Sequence, residues 1–481
     1  MQSLAPYHFR LSVMVALIAS LTVVGCDDDL PPLELDAAIP DVCTILCGEP
    51  DVPEVTDLPE QQPDIPAIEK DQCDLAWSFT NISGGSTTHP LVDENGVATV
   101  VAGSTLARVT PDGTDAVNLC NSRFTAPGEI LGTPSQTRKG AFMLGTLSGK
   151  LYSVTAQCEA KWNNPLDLYA AACKLNNTSP LCSESAAEIR EAPALHDDDI
   201  IFVLDTRPTL HRINDLGNQG DYKWPHLTED TDALPGAAPV YVGTSDPFVV
   251  FPTRRTVVAV NASGSRRWLY REPLDSAKDQ MITSPLAVDS DGAVIFAVGD
   301  VKADHFENLY LVKLLSDGTP SKSAIVAPGY PIPFPSIITL DTVHGLALGS
   351  DDSVYVGMAL NGLMRMSATG EVLWKFIGDE ESLRVSSVPT VADNGSVFIT
   401  AEPHFIYGVD KDGNRIFRYE PPAGGELETT SPVIRNDGKI LVNLGTELKA
   451  WSCPNVTGLA ASSWPRYQRN NRNGGNLQES E

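Results

Sequence analysis

Positive charge is scarce in this chain. Its 481 residues include 34 Lys and Arg against 62 Asp and Glu, a formal net charge of −28. A nucleic-acid partner requires clustered cations that displace counterions, and so acidic a chain has no global field of that sign. The basic spots Arg254-Arg255, Arg266-Arg267 and Arg466 to Arg472 are short and read as solvated surface. Long apolar runs are also lacking: the longest, Leu11 to Val24, covers about 14 residues where a spanning helix needs roughly 20. No two cysteines are adjacent, and there is no GxSxG elbow, HExxH pair, Walker loop or dinucleotide fingerprint. Those absences remove the common hydrolase, metalloprotease and nucleotide-binding classes. Hydrophobic residues still make up 42% of the chain, enough for a large core, and 37 Gly with 36 Pro point to many turns.

The apolar run reads as the core of a signal peptide over residues 1–25. It ends in Val23-Val24-Gly25-Cys26, which resembles the bacterial lipobox, and that resemblance implies lipidation at Cys26. Lipidation would anchor the chain to a membrane without a spanning helix. Asp27 resembles an inner-membrane retention signal of enterobacteria, and whether the inner or the outer membrane holds the anchor stays open. Over residues 27–72, fourteen acidic residues face the single Lys70, with eight prolines. Such a composition repels itself and buries no core, so residues 26–72 are expected to be a disordered tether.

Nine cysteines minus Cys26 leave eight, an even number suited to an oxidising compartment. Cys43 with Cys47 and Cys173 with Cys182 are close enough in sequence to pair locally. No second half-site of Cys or His accompanies Cys43 and Cys47, which argues against zinc.

From Cys73 onward the chain repeats. Clear copies are Ser284-Pro-Leu-Ala-Val-Asp-Ser-Asp-Gly-Ala-Val-Ile-Phe-Ala-Val298, Val388-Pro-Thr-Val-Ala-Asp-Asn-Gly-Ser-Val-Phe-Ile-Thr400 and Ser431-Pro-Val-Ile-Arg-Asn-Asp-Gly-Lys-Ile-Leu-Val442. Each is an apolar strand, an Asp/Asn-Gly turn and a second apolar strand. A third strand and turn follow, then an aromatic on a fourth strand. The aromatics assigned to that position are Trp77, Trp162, Trp224, Trp268, Trp374 and Phe417. Opening positions fall at Pro90, Pro134, Pro193, Pro239, Pro285, Gly345, Pro389 and Pro432, spaced by 44, 59, 46, 46, 60, 44 and 43 residues. That period predicts an all-β, eight-bladed propeller of four-stranded blades over residues 73–454, with insertions around Cys173 to Arg190 and between Val298 and Pro335.

The last copy lacks a fourth strand, and the spare segment Leu75-Ala-Trp77-Ser-Phe-Thr80 is expected to supply it, closing the ring. This closure sets Cys73 opposite Cys453 and predicts a disulfide between them; Cys120 and Cys158 remain as the last pair.

With its Ser-Pro, Asp-Gly and Trp positions, the body resembles the PQQ-like, or quinoprotein-alcohol-dehydrogenase-like, β-propeller superfamily. The C-terminal tail, residues 455–481, adds Trp464-Pro-Arg-Tyr-Gln-Arg-Asn-Asn-Arg-Asn-Gly-Gly475, similar to a Trp-Pro-x-Phe-Arg segment of bacterial members. The superfamily implies two functions. One is a quinone-dependent oxidoreductase, which needs a planar cofactor under adjacent cysteines, a carboxylate-held cation and a catalytic base. No Cys-Cys pair exists here, and the copy Met366-Ser-Ala-Thr-Gly-Glu-Val-Leu-Trp374 lacks the Asp of the enzymes' blade motif. The other is a lipoprotein propeller of the kind that helps assemble outer-membrane β-barrels, to which the anchor-plus-propeller layout is similar.

The expectation is therefore a monomeric, envelope-anchored module that binds envelope proteins or a surface ligand, without cofactor, metal or catalytic residues. Asp289-Ser-Asp-Gly292, Asp410-Lys-Asp-Gly413 and His196-Asp-Asp-Asp199 lack the ligand spacing of an EF-hand and read as turns. Of the eight scattered histidines, His89 and His344 lie beside opening positions and could approach a central channel; packed roles are expected for both.

Overall fold

The computed structural model describes residues 72–477 apart from 81, 83–87, 117–118, 120–122, 197–198, 231, 244–245, 272–278, 303–304, 321–329, 332–342, 360, 379–382, 403–404 and 422–429. The chain divides into Met1–Pro66 and Ala67–Glu481. The first unit, holding the signal peptide, Cys26, Cys43 and Cys47, lies outside the described residues, as does the rest of the tether to residue 71.

The second unit is an eight-bladed β-propeller, each blade a small antiparallel sheet. Blades 1 to 4 span residues 91–125, 135–167, 194–226 and 240–271; blades 5 to 7 span 279–331, 343–376 and 384–419. Blade 8 combines residues 433–452 with strand β1, Asp74–Phe79, which pairs antiparallel with Leu448–Ser452 as its outermost strand. The ring thus closes by hydrogen bonds between the two ends of the repeat. Residue Cys73 is disulfide-bonded to Cys453, with Cα atoms 4.2 Å apart. Cys173 and Cys182 form a second bond. Cys158 is also disulfide-bonded, while Cys120 lies outside the described residues.

Burial explains the strand sequences. Inner and middle strands are sandwiched between neighbouring blades, so Ala98–Ala102, Phe248–Pro252 and Val354–Met358 are buried on both faces and read as nearly continuous apolar runs. Outermost strands meet solvent on one side, and Arg266–Arg271 is correspondingly polar and partly exposed. Asp residues in the hairpin turns bond forward to the backbone: Asp93 accepts from the N–H groups of Asn95 and Val97. Asp289 does so from Asp291 and Ala293, and Asp410 from Asp412 and Asn414. These carboxylates are spent on turn geometry.

The outer aromatics lock each blade to the next. The indole N–H of Trp77 donates to the Pro111 carbonyl in the next blade (3.0 Å), Trp224 to Ala262 (3.2 Å), Trp268 to Ser316 (3.1 Å) and Trp374 to Lys411 (2.9 Å). Each ring covers a turn glycine of positive φ two residues beyond that carbonyl: Gly113, Gly264, Gly318 and Gly413. A Cβ at any of these four would come within 2.6–3.0 Å of the indole. An arginine often shares the carbonyl: Arg435 with Trp77, Arg212 with Trp224, Arg365 with Trp374. In blade 1 only the arginine remains, Arg108 donating to Ala156 (2.7 Å). Phe417 has no such donor and packs instead in the buried cluster that contains Cys73 and Cys453, so the disulfide occupies the place of a turn.

Trp162 departs from the expected position. It lies in a bend before the short outer strand Leu166–Asp167, and its N–H donates to the Asp215 carboxylate (3.0 Å), which also pairs with Lys161. The turn it meets is longer, from Asp215 to Gly220, so the carboxylate stands where a carbonyl would.

Gly413→Ala should be costlier than Gly217→Ala, although both glycines have φ near +90°. Left-handed backbone costs an alanine about 1–2 kcal/mol at either site. Only at Gly413 does the new methyl also meet Trp374, 3.0 Å away; nothing lies within 4 Å at Gly217. Urea denaturation should show Gly413→Ala less stable than Gly217→Ala by a further 1–3 kcal/mol or so, the usual cost of overpacking.

Candidate functional site

A propeller's innermost strands line its axis and are edge strands with unpaired N–H and C=O groups. The residues after 455 take up these groups. Six inner strands donate an N–H to successive carbonyls of this one segment. Leu348 bonds to Trp464 (2.7 Å), Val391 to Pro465 (2.8 Å) and Val92 to Asn471 (2.8 Å). Gln136 bonds to Arg472 (2.9 Å), Leu195 to Gly474 (2.9 Å) and Tyr241 to Gly475 (2.7 Å). In blade 8 the Asn471 side-chain amide donates to Ile434 (2.6 Å). The stretch expected to be a tail is therefore a plug across the ring, at the end carrying the tight turns between first and second strands.

The plug's side chains point into the axis. Trp464 joins the largest buried cluster, which spans blades 3 to 6. Arg466 is fully buried and donates to the Asn470 carbonyl (2.6 Å) and the Asn473 side-chain oxygen (2.8 Å), with longer contacts to Pro432 and Pro90 carbonyls. Tyr467 stacks on His89 with ring centroids 3.9 Å apart. Its hydroxyl donates to Glu191 (2.8 Å) and accepts from the Ala192 N–H (3.2 Å).

Burial, aided by the nearby Arg466 charge, lowers the His89 pKa to about 3. A neutral ring fits its role, since Nδ1 accepts from the Ser431 N–H (2.8 Å). Burial raises the Glu191 pKa despite the Tyr467 hydrogen bond, and burial also lowers that of His344.

A planar redox cofactor does not fit this axis. Trp464, Arg466 and Tyr467 fill the level at which the inner strands open toward it, and each is tied to backbone or packed on neighbours. Among the described residues no three His, Cys, Asp or Glu side chains converge to hold a cation.

One buried constellation resembles a proton relay. Tyr169 donates to Asp205 (3.0 Å), His211 Nε2 meets the same carboxylate oxygen (3.1 Å), and His211 Nδ1 meets the Tyr222 hydroxyl (2.8 Å). Asp205 also accepts from the N–H groups of Arg207 and Thr209, so it is a turn residue as well. Tyr169 belongs to helix α1, Leu168–Leu175, capped by Asp167 and followed by the Cys173–Cys182 bond. The network clamps this insertion to blade 3. Nothing in it is a nucleophile exposed to substrate: Tyr169, Asp205 and His211 are all buried.

Alternation of strand direction puts the second-to-third-strand loops and the blade-to-blade connections together on the face opposite the plug. The insertion containing α1 is part of that face, and Leu175 on it is 56% exposed. Sequence reasoning found the insertion and His89, but not the plug, the shared arginines, or the Tyr169 clamp. The arginines had a signal, since Arg108, Arg212 and Arg365 occupy the same place in the third strand of three copies.

No family model matches the chain, and a search of curated protein sequences finds no match. Solved structures do. BamB from Moraxella catarrhalis is 15% identical, with a TM-score of 0.53 over 80% of this chain and 98% of that one. Saccharomyces cerevisiae Sqt1 is 13% identical, with a TM-score of 0.57 over 80% and 100%. The C-terminal WD40 domain of Sif2 is 12% identical, with a TM-score of 0.55 over 80% and 99%. At these identities the likeness is one of fold: the chain is a β-propeller similar to BamB and to WD40 proteins.

Proposed function

We propose that the protein is a lipid-anchored, extracytoplasmic propeller that binds and positions other proteins of the bacterial cell envelope. The plug carries this reading. Because the chain's own residues occupy the axis where propeller enzymes bind their cofactors, recognition falls to the loop-bearing faces, and a rigid ring is a suitable mount for recognition loops. The lipobox-like ending at Cys26 and the acidic stretch that follows supply the anchor and reach. Helix α1, held by one disulfide and one buried clamp, is a preorganised contact element.

A photo-crosslinking residue at Leu175, introduced into the full chain in its native envelope, tests this. A discrete protein adduct is expected, and replacing residues 168–190 with a short Gly-Ser turn should abolish capture of the same partner by probes elsewhere on that face. Unchanged capture would overturn the role of α1. No discrete adduct from either face would overturn the scaffold reading.

A further inference from the structure

On the face opposite the plug, a pocket of about 280 Å3 opens between three segments: the second-to-third-strand loop of blade 3, the connection from blade 3 to blade 4, and the connection entering blade 3. That is below the roughly 300–1,000 Å3 of pockets that enclose a whole small molecule, and it suits a single side chain. Its walls are largely apolar, built from Leu204, Pro208, Leu234, Pro235 and Pro252. Two carboxylates, Glu191 and Asp205, and one cation, Arg190, share the lining.

These three differ in the bonding they have left to offer. Asp205 accepts twice on each oxygen, from Tyr169 and His211 and from the N–H groups of Arg207 and Thr209. Arg190 is turned onto Glu188, its Nε 2.6 Å from that carboxylate. Among the described residues, Glu191 has one hydrogen-bond donor, the Tyr467 hydroxyl, which uses one of its oxygens (2.8 Å). The second oxygen is left to the pocket. Burial raises the Glu191 pKa, as expected of a carboxylate set beside apolar walls with no cation bonded to it.

We infer that this pocket takes the side chain of a lysine on a partner protein, its ammonium group on the second oxygen of Glu191. The four-carbon stem of a lysine matches walls of leucine and proline, and its head needs a carboxylate. Arginine fits less well, because its planar fork engages both oxygens of a carboxylate and Tyr467 holds one of them. A protein is the source rather than a free amine, on two grounds. Asp205 belongs both to the pocket and to the clamp on α1, so the two lie in one contact surface. A chain of net charge −28 also draws basic partners at long range. This inference rests on the scaffold reading and deepens it, by naming an anchor point beside α1 and the side chain that fills it.

The probe is Nα-acetyl-lysine methylamide, titrated into the full chain and followed through the amide resonances of Ala192, Leu234 and Ala237. Saturable shifts at these three are expected. The norleucine analogue, with a similar stem and no charge, and the arginine analogue should each bind several-fold more weakly. Glu191→Gln still accepts the Tyr467 hydrogen bond through its amide oxygen, so the thermal transition should be retained. Lysine binding to it should fall about tenfold, as for the loss of a charge-assisted hydrogen bond. Ala233→Trp, which fills the pocket, should abolish the shifts. Glu371→Gln, an exposed acid in the third-to-fourth-strand turn of blade 6, should leave them unchanged. Absence of saturable shifts at the pocket would overturn the inference, as would undiminished binding to Glu191→Gln. Equal loss in Glu371→Gln would do the same, because the attraction would then be unspecific charge. An adduct at Leu175 without lysine binding would sink this inference and leave the scaffold reading standing. Lysine binding with no protein adduct from either face would assign the pocket to a free amine and overturn the partner lysine.

Discussion

Trp464→Ala is expected to lower the stability of the propeller by about 3–5 kcal/mol, the cost of emptying a buried tryptophan site. The residue lies far outside the repeats, and on a chain end its loss would ordinarily be neutral. Here the indole is 2% exposed, inside the cluster shared by blades 3 to 6. Domains are stable by only about 5–15 kcal/mol, so one substitution in the plug removes a large share. A chain ending at residue 463 should fare worse. It loses the acceptors of six inner-strand N–H groups and the Arg466 contacts to Pro432 and Pro90, all buried at the axis. Each buried donor left without a partner costs about 1–3 kcal/mol unless water replaces it. Chemical denaturation of the truncated chain should show an early, broadened transition, with new protease sensitivity in the inner strands. A midpoint equal to that of the intact chain would mean that the ring stands alone and the plug is a passenger.

Loss of the Cys73–Cys453 bond should be the second large effect, and it should greatly exceed loss of Cys173–Cys182. The first closes a loop of 380 residues and the second a loop of 9. In the chain-entropy description the stabilisation grows with the logarithm of loop length, which makes the difference about 3 kcal/mol. The contrast is also structural. Cys73 precedes the strand that completes blade 8, and both cysteines sit in the core cluster with Phe417, so opening this bond frees the seam of the ring. Cys73→Ser is expected to shift the urea midpoint strongly and to uncouple β1 from Leu448–Ser452, visible as fast amide exchange at that pair. Cys173→Ser should shift the midpoint far less, by the few kcal/mol or so of a short loop, and loosen mainly the α1 insertion. Equal shifts in the two variants would show that ring closure rests on the hydrogen-bonded strand alone.

Much of the architecture was legible because propeller blades are local. Each hairpin is written in consecutive residues, such as Pro389-Thr-Val-Ala-Asp-Asn-Gly395, and repetition averages out the ambiguity of any one copy. The missing fourth strand after Cys453 and the spare one at Leu75 were visible for the same reason, as a mismatch in a count. Trp162 docks differently from the other aromatics because the longer turn from Asp215 to Gly220 offers a carboxylate in place of a carbonyl, and that turn lies in a different blade. The arginines beside Trp77, Trp224 and Trp374 find their partner only when a neighbouring blade brings a turn carbonyl to them.

What the sequence by itself determined is the blade, its eightfold recurrence, and the seam where the first strand and two cysteines close the ring. Only the tertiary structure decided where Trp464 to Gly475 goes. That segment is rich in Asn, Arg and Gly and looks like a solvated end, with no apolar period to announce burial. Closing eight sheets creates, at the axis, a circle of unpaired strand edges, and a polar segment with many donors and acceptors is what can satisfy them.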